Sequence, residues 1–388
     1  MMWIVSILFV APVVHSYVLY PLSLRLLAAL RNNESKSRDD QSAGHRPKLS
    51  LLIAARNEAA VLPGKFQSIV DSNYPLTDLE VLIGSDASTD STAALVGEWQ
   101  RRFPSFRLIE FSERQGKSAI LNALAQEARY DWLVCTDANV LHDPNCFDEL
   151  VLEAHRHGAD AVGAELRYLE HSDAPVASDE DRFLRFENRL KRNESKCWEA
   201  VMGLEGSCYL IRKASMPELP VSAIVDDFYV GMSVLLAGGK VLWNQDALAY
   251  EEVSCSEAEE YRRKVRISKG NFQNLRWFLG RVLSRGGKAA YAFISHKVFR
   301  WLTPVFLLGS FATLSVELVR SDVPSGFYWS VGVAFLLPFL PLGQRLPLLR
   351  SLRHWLLMNI ALMHGLILHI RNKGGYVWEP TNRDQQGI

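Results

Sequence analysis

The sequence has few cysteines, and none of them form a CxxC pair. Its five cysteines are spread over 388 residues, which argues against a zinc ribbon or a disulfide scaffold and fits free thiols in a reducing compartment. Net charge is also absent, because 43 Lys and Arg balance 43 Asp and Glu. Without a basic excess we expect no nucleic-acid partner. A hydrophobic content of 48% with 22% charged residues excludes a disordered chain.

The first 24 residues contain no Lys, Arg, Asp or Glu. An apolar segment of this length can cross a bilayer core about 30 Å thick. A signal peptide cleaved near residues 13–16 is the alternative. However, the positive charges follow the apolar run instead of preceding it, which favours a retained membrane helix. The same charges predict that residue 31 onward is cytoplasmic.

Apolar stretches return near the C-terminus, so we expect a multi-pass protein of the cell (inner) membrane with a cytoplasmic catalytic domain. These stretches are residues 301–316, 323–344 and 355–368. The predicted organisation is an N-terminal membrane helix (1–30), a polar linker (31–47), a cytosolic domain (48–280), an interfacial helix (281–300), about three spans (301–370) and a tail (371–388).

The cytosolic region alternates short apolar runs of strand length with segments of helical apolar spacing. The predicted strands are 49–54, 79–85, 106–111 and 132–136, and the predicted helices between them are 58–72, 92–102 and 117–127. Strand followed by helix, repeated, predicts an α/β fold with a mostly parallel sheet covered on both faces. Ligands bind such sheets at the carboxyl ends of the strands.

Carboxylates follow two of these strands directly. Asp86 and Asp137 would be costly there if nothing compensated their charge. Asp137 and Asn139 are two residues apart, and their oxygens suit a divalent metal, Mg or Mn, that also binds phosphate. Ser88 and Asp90 are explained equally well by helix capping.

Two further positions carry charge where a ligand would explain it. Lys117 opens a predicted helix, against the dipole preference, which a bound phosphate would resolve; an exposed surface lysine is the alternative. Asp226 and Asp227 are adjacent carboxylates between apolar neighbours, and one of such a pair can have a raised pKa and act as a general base.

A basic helix follows near residue 262. On it, Gln273 shares a face with Arg276 and Trp277, three and four residues on. An interfacial helix anchored by Trp and Arg is the alternative interpretation.

In order, these segments resemble a membrane-integrated family 2 glycosyltransferase of the cellulose, hyaluronan and poly-N-acetylglucosamine synthase type. The similarity runs over residues 51–277. Its motifs are AARNE (54–58), SDASTDST (85–92), GK (116–117), TDAN (136–139), EGSCYLIRK (205–213), VDD (225–227) and QNLRW (273–277). The resemblance implies a GT-A type nucleotide-sugar domain flanked by transmembrane helices, a divalent metal and a UDP-sugar donor.

The resemblance also implies a role for each matching residue. The implied nucleotide-sugar residues are Arg56, Glu58, Asp86, Lys117 and Asp137; the metal ligands are Asp137 and Asn139; the catalytic base is Asp227; and the residues for the acceptor and the diphosphate are Asp226, Gln273, Arg276 and Trp277. Two positions depart from the family pattern. Asn139 stands where a second aspartate is usual, and Asp226 replaces the glutamate that precedes the base.

The implied reaction is transfer of a sugar from a UDP-sugar to a growing polysaccharide, with inversion at the anomeric carbon. Asp227 would take the acceptor proton while the metal, Lys117 and Arg276 stabilise the departing UDP. Transfer to a lipid acceptor stays open, because about four spans are few for a polysaccharide channel. A non-catalytic nucleotide-binding membrane scaffold is the second alternative, favoured only by Asn139.

Overall fold

The computed structural model describes most of the chain. The described residues are 2–31, 46–169, 175–252, 256–320, 337–340 and 346–372. Nearly all of the predicted linker, the apolar stretch at 323–344 and the C-terminal tail lie outside them.

Strands and helices alternate as the sequence predicts, and all four predicted strands and all three predicted helices are present. The strands are β1 (Leu49–Ala55), β2 (Leu79–Asp86), β3 (Phe106–Phe111), β4 (Trp132–Thr136), β5 (Leu141–His142), β6 (Ala161–Tyr168), β7 (Cys208–Arg212) and β8 (Val241–Glu251). The helices of this region are α3 (Leu62–Val70), α4 (Thr92–Arg102), α5 (Lys117–Glu127), α6 (Cys146–His157), α7 (Pro175–Trp198), α8 (Asp226–Ala237) and α9 (Glu257–Arg285).

Within the described residues the strands form one eight-stranded sheet in the order β3-β2-β1-β4-β7-β6-β8-β5. The first four strands are mutually parallel, and β6 is parallel to β8. Strand β7 is antiparallel to β4 and β6, and β5 to β8. The sheet is therefore mixed with parallel pairs in the majority. The carboxyl ends of β1, β2 and β4 share one edge with the start of β7.

An apolar core lies on each face of the sheet, because successive side chains of a strand point to opposite faces. In β1, Leu51 and Ile53 pack in one core and Leu52 in the other. Helices α3, α4 and α6 cover the first face, and α5, α7, α8 and α9 cover the second. The predicted α/β fold with both faces covered is confirmed.

Two helices of the described residues are long and apolar enough to cross a membrane. The first is the N-terminal helix, α1 (Met2–Val14) continued through a π-helical turn into α2 (Tyr20–Arg31), and the second is α12 (Thr303–Arg320). They lie side by side, with Ser6 Oγ 2.8 Å from Ser310 Oγ. Their outer apolar side chains, such as Leu8 and Phe311, are about two-thirds exposed, at 66% and 67%.

The third C-terminal apolar stretch, 355–368, is helical and packs against the α/β domain. It belongs to α13 (Pro347–Ile370), which packs along α9, where the Ser268 hydroxyl donates to the Leu362 carbonyl at 2.8 Å. The described residues therefore contain fewer candidate spans than the four that we predicted.

The predicted interfacial helix at 281–300 is interrupted. Gly286 and Gly287, with φ of +66° and +73°, end α9 and start α10 (Gly287–Ala292). A π-helical turn (Phe293–Val298) and a short helix α11 (Phe299–Trp301) follow. Phe293, His296 and Trp301 are buried, so the segment is part of the packed body. Its position at a membrane surface stays a prediction.

Candidate active site

A cleft of about 1370 Å³ opens at the sheet edge where β1, β2 and β4 end. It continues between α7, α9, α13 and the π-helical turn at 293–298. Eight predicted site residues line it: Arg56, Glu58, Asp86, Lys117, Asp137, Asn139, Asp226 and Asp227. The residues predicted at the strand ends therefore lie together in one cleft, and their roles stay predictions.

One cation and three carboxylates meet at the base of the cleft. Lys117 Nζ lies 2.8 Å from Asp137 Oδ1 and 3.4 Å from Asp226 Oδ1. A Cβ built on Gly206 would lie 3.2 Å from both Asp137 Oδ2 and Lys117 Nζ, and 3.5 Å from Asp227 Oδ2. Gly206 therefore leaves open the point at which these groups converge.

Asp227 is placed as a proton acceptor. It lies in the first turn of α8, where an acidic residue is favoured. Its Oδ2 accepts from the Gly206 amide at 2.6 Å and its Oδ1 from the Phe228 amide at 2.7 Å. Burial, followed by repulsion from Asp226, raises its pKa to about 7, although Lys117 acts in the opposite direction. This is the range that a general base at neutral pH requires.

Lys117 stays charged in this cluster. Burial alone lowers its pKa, but the carboxylates of Asp137, Asp226 and Asp227 outweigh burial and raise the pKa above its ordinary value. The loop before it is held by Asp86, whose two carboxylate oxygens accept from the amides of Gln115 at 2.6 Å and Gly116 at 3.0 Å. Asp86 therefore positions the start of α5, and its contact with uridine stays a prediction.

The loops after β1 and β2 are joined by side chain to backbone hydrogen bonds. Asn57, in the left-handed region at φ +54°, accepts from the Thr89 amide at 2.8 Å through Oδ1. Asp90 accepts from the Ala59 amide at 3.2 Å and from the Thr92 amide at 3.0 Å. Thr92 is the first residue of α4 and Ser91 its N-cap, so Asp90 bonds the first helical amide from the position before the cap. These bonds hold the loop of Arg56 and Glu58 at the cleft.

The predicted metal ligands have oxygens suited to a divalent cation. Asn139 Nδ2 donates to Glu251 Oε1 at 3.0 Å, so the amide oxygen of Asn139 is on the side of the amide group away from Glu251. No cluster of three or more His, Cys, Asp or Glu side chains able to hold a metal occurs in the described residues. One carboxylate and one amide oxygen are the kind of set that binds a cation held mainly through substrate phosphates. The donor set therefore fits a cation bound together with a diphosphate.

The structure corrects the placement of the QNLRW residues, because none of the three predicted there is among the residues lining the cleft. Gln273 instead clamps the segment before α8: its Nε2 donates to the Ser222 carbonyl at 2.9 Å and its Oε1 accepts from the Ile224 amide at 3.2 Å. Arg276 is exposed, and Trp277 packs edge-on against Tyr229 with a centroid distance of 5.3 Å.

Residues two to three turns earlier on α9 occupy the cleft instead, namely Arg263, Lys264 and Arg266. Arg263 and Lys264 form ion pairs with Glu180 and Glu260. Arg266 has no carboxylate within 4 Å among the residues that the structure describes. Burial and then Arg263 lower its pKa, against the raising effect of the site carboxylates. We did not assign these residues from the sequence, although the basic run at 262–266 was a signal.

Gly206→Ala is expected to lower turnover about 10²-fold with little loss of stability. The added methyl would displace Asp137 or Lys117 by a few tenths of an ångström, and small misplacements of reacting groups are costly. The matched control is Gly97→Ala, a half-buried position in α4 with nothing within 4 Å of the new Cβ. Initial rates and melting temperatures of both variants check the prediction, and an unchanged rate in Gly206→Ala would contradict it.

Comparisons with known proteins find similarity to glycosyltransferases. Residues 50–218 match the model of the glycosyl transferase family 2. The poly-beta-1,6-N-acetyl-D-glucosamine synthase of Staphylococcus epidermidis is 22% identical over 231 residues, which are 58% of this chain and 55% of that protein. A probable glycosyltransferase of Bacillus subtilis is 23% identical over 236 residues, with the same coverage of 58% and 55%. The chain thus spans about half the length of these curated relatives.

A solved structure is similar over nearly the whole chain. It is a mannosyltransferase from Pyrobaculum calidifontis in complex with GDP-Man and Mn²⁺, with a TM-score of 0.71 and 21% identity, covering 96% of this chain and 100% of that one. At this identity the likeness concerns the fold. Residues 50–218 are thus a family 2 glycosyltransferase domain by the family match, and the likeness to the solved structure shows a GT-A-like fold.

Proposed function

We propose that the protein is an inverting glycosyltransferase that transfers a sugar from a UDP-sugar to a growing polysaccharide at a membrane. The observation that carries the proposal is the meeting of Lys117, Asp137, Asp226 and Asp227 around Gly206 at the base of the cleft. Displacement of a nucleoside diphosphate requires a base and a positive charge near the leaving group. Asp227, with a pKa of about 7, can act as the base, and Lys117 supplies the charge.

In the proposed reaction, Asp227 takes the proton of an acceptor hydroxyl. The hydroxyl oxygen then forms a bond to the anomeric carbon as the bond from that carbon to the diphosphate breaks on the opposite side, which inverts the configuration. The diphosphate leaves with the electron pair, and the positive charges of Lys117 and Arg266 stabilise it. A divalent cation held by Asp137 and Asn139 would neutralise part of the same charge.

Arg266 takes the role that the motif match assigned to Arg276. It lines the cleft, where burial and Arg263 lower its pKa and the site carboxylates Asp137, Asp226 and Asp227 only partly oppose that shift. A guanidinium without a carboxylate partner among the described residues has its donors available for phosphate oxygens.

The first experiment supplies the purified protein with a panel of UDP-sugars and GDP-sugars in the presence of Mg²⁺ or Mn²⁺. Release of nucleoside diphosphate is measured and the product is sized. UDP release with a long product is the expected result. Release of GDP alone would show that the donor is a GDP-sugar and not a UDP-sugar. The absence of release from any donor would contradict catalysis.

Transfer to a lipid is a second candidate, and the inner end of the cleft favours it. Tyr17 of the N-terminal helix and Trp355, Met358 and Leu362 of α13 line that end, so an apolar acceptor chain could lie between the two helices. A product that stops at one or two sugars on a lipid would establish this candidate. A product of many sugars would exclude it.

We further propose that the N-terminal helix and α12 anchor the protein in the membrane, with the α/β domain on the cytoplasmic side. Their mutual contact at Ser6 and Ser310 and their exposed apolar faces support this, because large exposed apolar patches mark membrane or protein contacts. We expect detergent, but not alkaline carbonate, to extract the protein from isolated membranes.

A further inference from the structure

Lys65 is a fully buried lysine beneath the loop that carries Asp137 and Asn139. It lies in α3 between Leu62 and Phe66, on the helix face that packs into the core. Its side chain is 0% exposed. Lysine is almost never fully buried unless it is paired, so the position needs a physical reason.

The contacts of Lys65 give that reason. Its Nζ donates to Thr136 Oγ1 at 2.7 Å, to the Val140 carbonyl at 2.7 Å and to His142 Nε2 at 3.2 Å. These three bonds use all three donors of an ammonium group. No carboxylate lies within 4 Å of it in the part of the chain that the structure describes. All the hydrogen bonds of the lysine ammonium group therefore go to uncharged acceptors at the two ends of the loop 137–139 and just after it.

Thr136 and Val140 are the residues at either end of the segment 137–139. One nitrogen that is bonded to both ends and buried in the core restrains the distance between them and hence the loop conformation. The same Thr136 hydroxyl donates to the Ser207 carbonyl at 2.6 Å. The neighbouring Asp137 amide donates to the Gly206 carbonyl at 3.1 Å. Lys65 is therefore also connected to the segment that contacts Asp227.

We propose that Lys65 is a positioning residue that holds the loop 137–139 so that Asp137 and Asn139 present their oxygens to a divalent cation bound with a nucleoside diphosphate. The inference rests on the proposed function, because it assumes the cation. A core lysine that only stabilised the fold would not need hydrogen-bond partners at both ends of the loop that carries the proposed metal ligands.

The test measures binding of Mn²⁺ by electron paramagnetic resonance in the presence of UDP or GDP, without an acceptor. Lys65→Met keeps the length and apolar stem of the side chain but removes the three bonds. We expect Mn²⁺ to bind this variant about 10- to 100-fold more weakly, the usual effect of losing a group that orients a metal ligand. The control is Ile69→Ala on the same buried helix face, which removes apolar packing from α3 but no hydrogen bond to the loop. It should lower the melting temperature and leave Mn²⁺ affinity unchanged.

A second pair of variants covers the case in which Lys65→Met does not fold. Thr136→Val removes the shared hydroxyl, and Thr136→Ser restores it. Weakened Mn²⁺ binding in the first with recovery in the second supports the inference. Wild-type affinity in Lys65→Met, or in Thr136→Val, overturns it and leaves the proposed metal site intact. Failure of the wild-type protein to bind Mn²⁺ with either nucleotide overturns the metal site itself and this inference with it.

Discussion

Asp227→Asn is expected to lower kcat by about 10²- to 10⁴-fold, the usual contribution of a general base. The amide has the shape of the carboxylate but cannot take a proton from the acceptor hydroxyl. Donor binding should persist, because Lys117 and Asp137 keep their contact. Initial rates with the active donor, alongside nucleotide binding by calorimetry, check both parts.

The control is Asp148→Asn, which removes a carboxylate of the same type from an ion pair with Arg46 outside the cleft. It should keep wild-type activity, since such surface pairs contribute about 1 kcal/mol or less. If Asp227→Asn also kept its activity, the role of Asp227 as base would be excluded and the scaffold alternative would gain.

The same carboxylate predicts a pH dependence of the wild-type protein. Asp227 acts as a base only when it is deprotonated, so kcat/KM should rise with pH through about 7. Its effect on stability has the opposite sign. Because its folded pKa lies above the ordinary value of 3.8, the folded state binds the proton more tightly, and the free energy of unfolding falls as pH rises from about 4 to about 7. Asp227→Asn should lose this contribution to the slope.

Arg266→Met is expected to lower kcat about 10²- to 10³-fold, the loss typical of removing one group that stabilises developing charge. Arg276→Met is the matched control, because it removes the same group from the same helix two to three turns further on. Arg276 is exposed and outside the lining of the cleft, so its replacement should change kcat by less than about threefold.

Initial rates of the two variants, with circular dichroism to verify folding, separate the two assignments. A large loss in Arg276→Met with little change in Arg266→Met would restore the motif match and contradict the structure-based assignment. A large loss in both would indicate that the end of α9 moves on substrate binding.

The difference between the two arginines shows where inference from the sequence ends. Arg266 lies seven residues before Gln273, almost two helical turns, so it shares the face on which Gln273 lies. Periodicity therefore cannot tell which end of that face reaches the cleft. The choice depends on where α9 crosses the segment before α8. That crossing is at Gly270, where an added Cβ would lie 2.5 Å from Val225 Cγ2. A tertiary contact of this kind has no signature in the local pattern.

The strand-end residues were predictable for the opposite reason. Asp86 and Asp137 follow apolar runs directly, and parallel strands bring their carboxyl ends to one edge whatever the details of packing. Lys65 lies between these cases. Its spacing from Leu62 and Ile69 matches the buried face of α3, but only the structure shows which acceptors surround its ammonium group.

The N-terminal helix has a consequence for how the enzyme reaches its acceptor. Its second half is part of the catalytic body, since Tyr20, Leu24 and Ala28 are buried and the Tyr20 hydroxyl donates to Glu194 at 2.8 Å. An anchor joined by a flexible tether would let the active site sample a range of heights above the bilayer. If the helix anchors the protein as we propose, an anchor built into the core would hold Asp227 at one height above the bilayer. An acceptor anchored in the same bilayer would then be selected by how far its hydroxyl projects as well as by its chemistry.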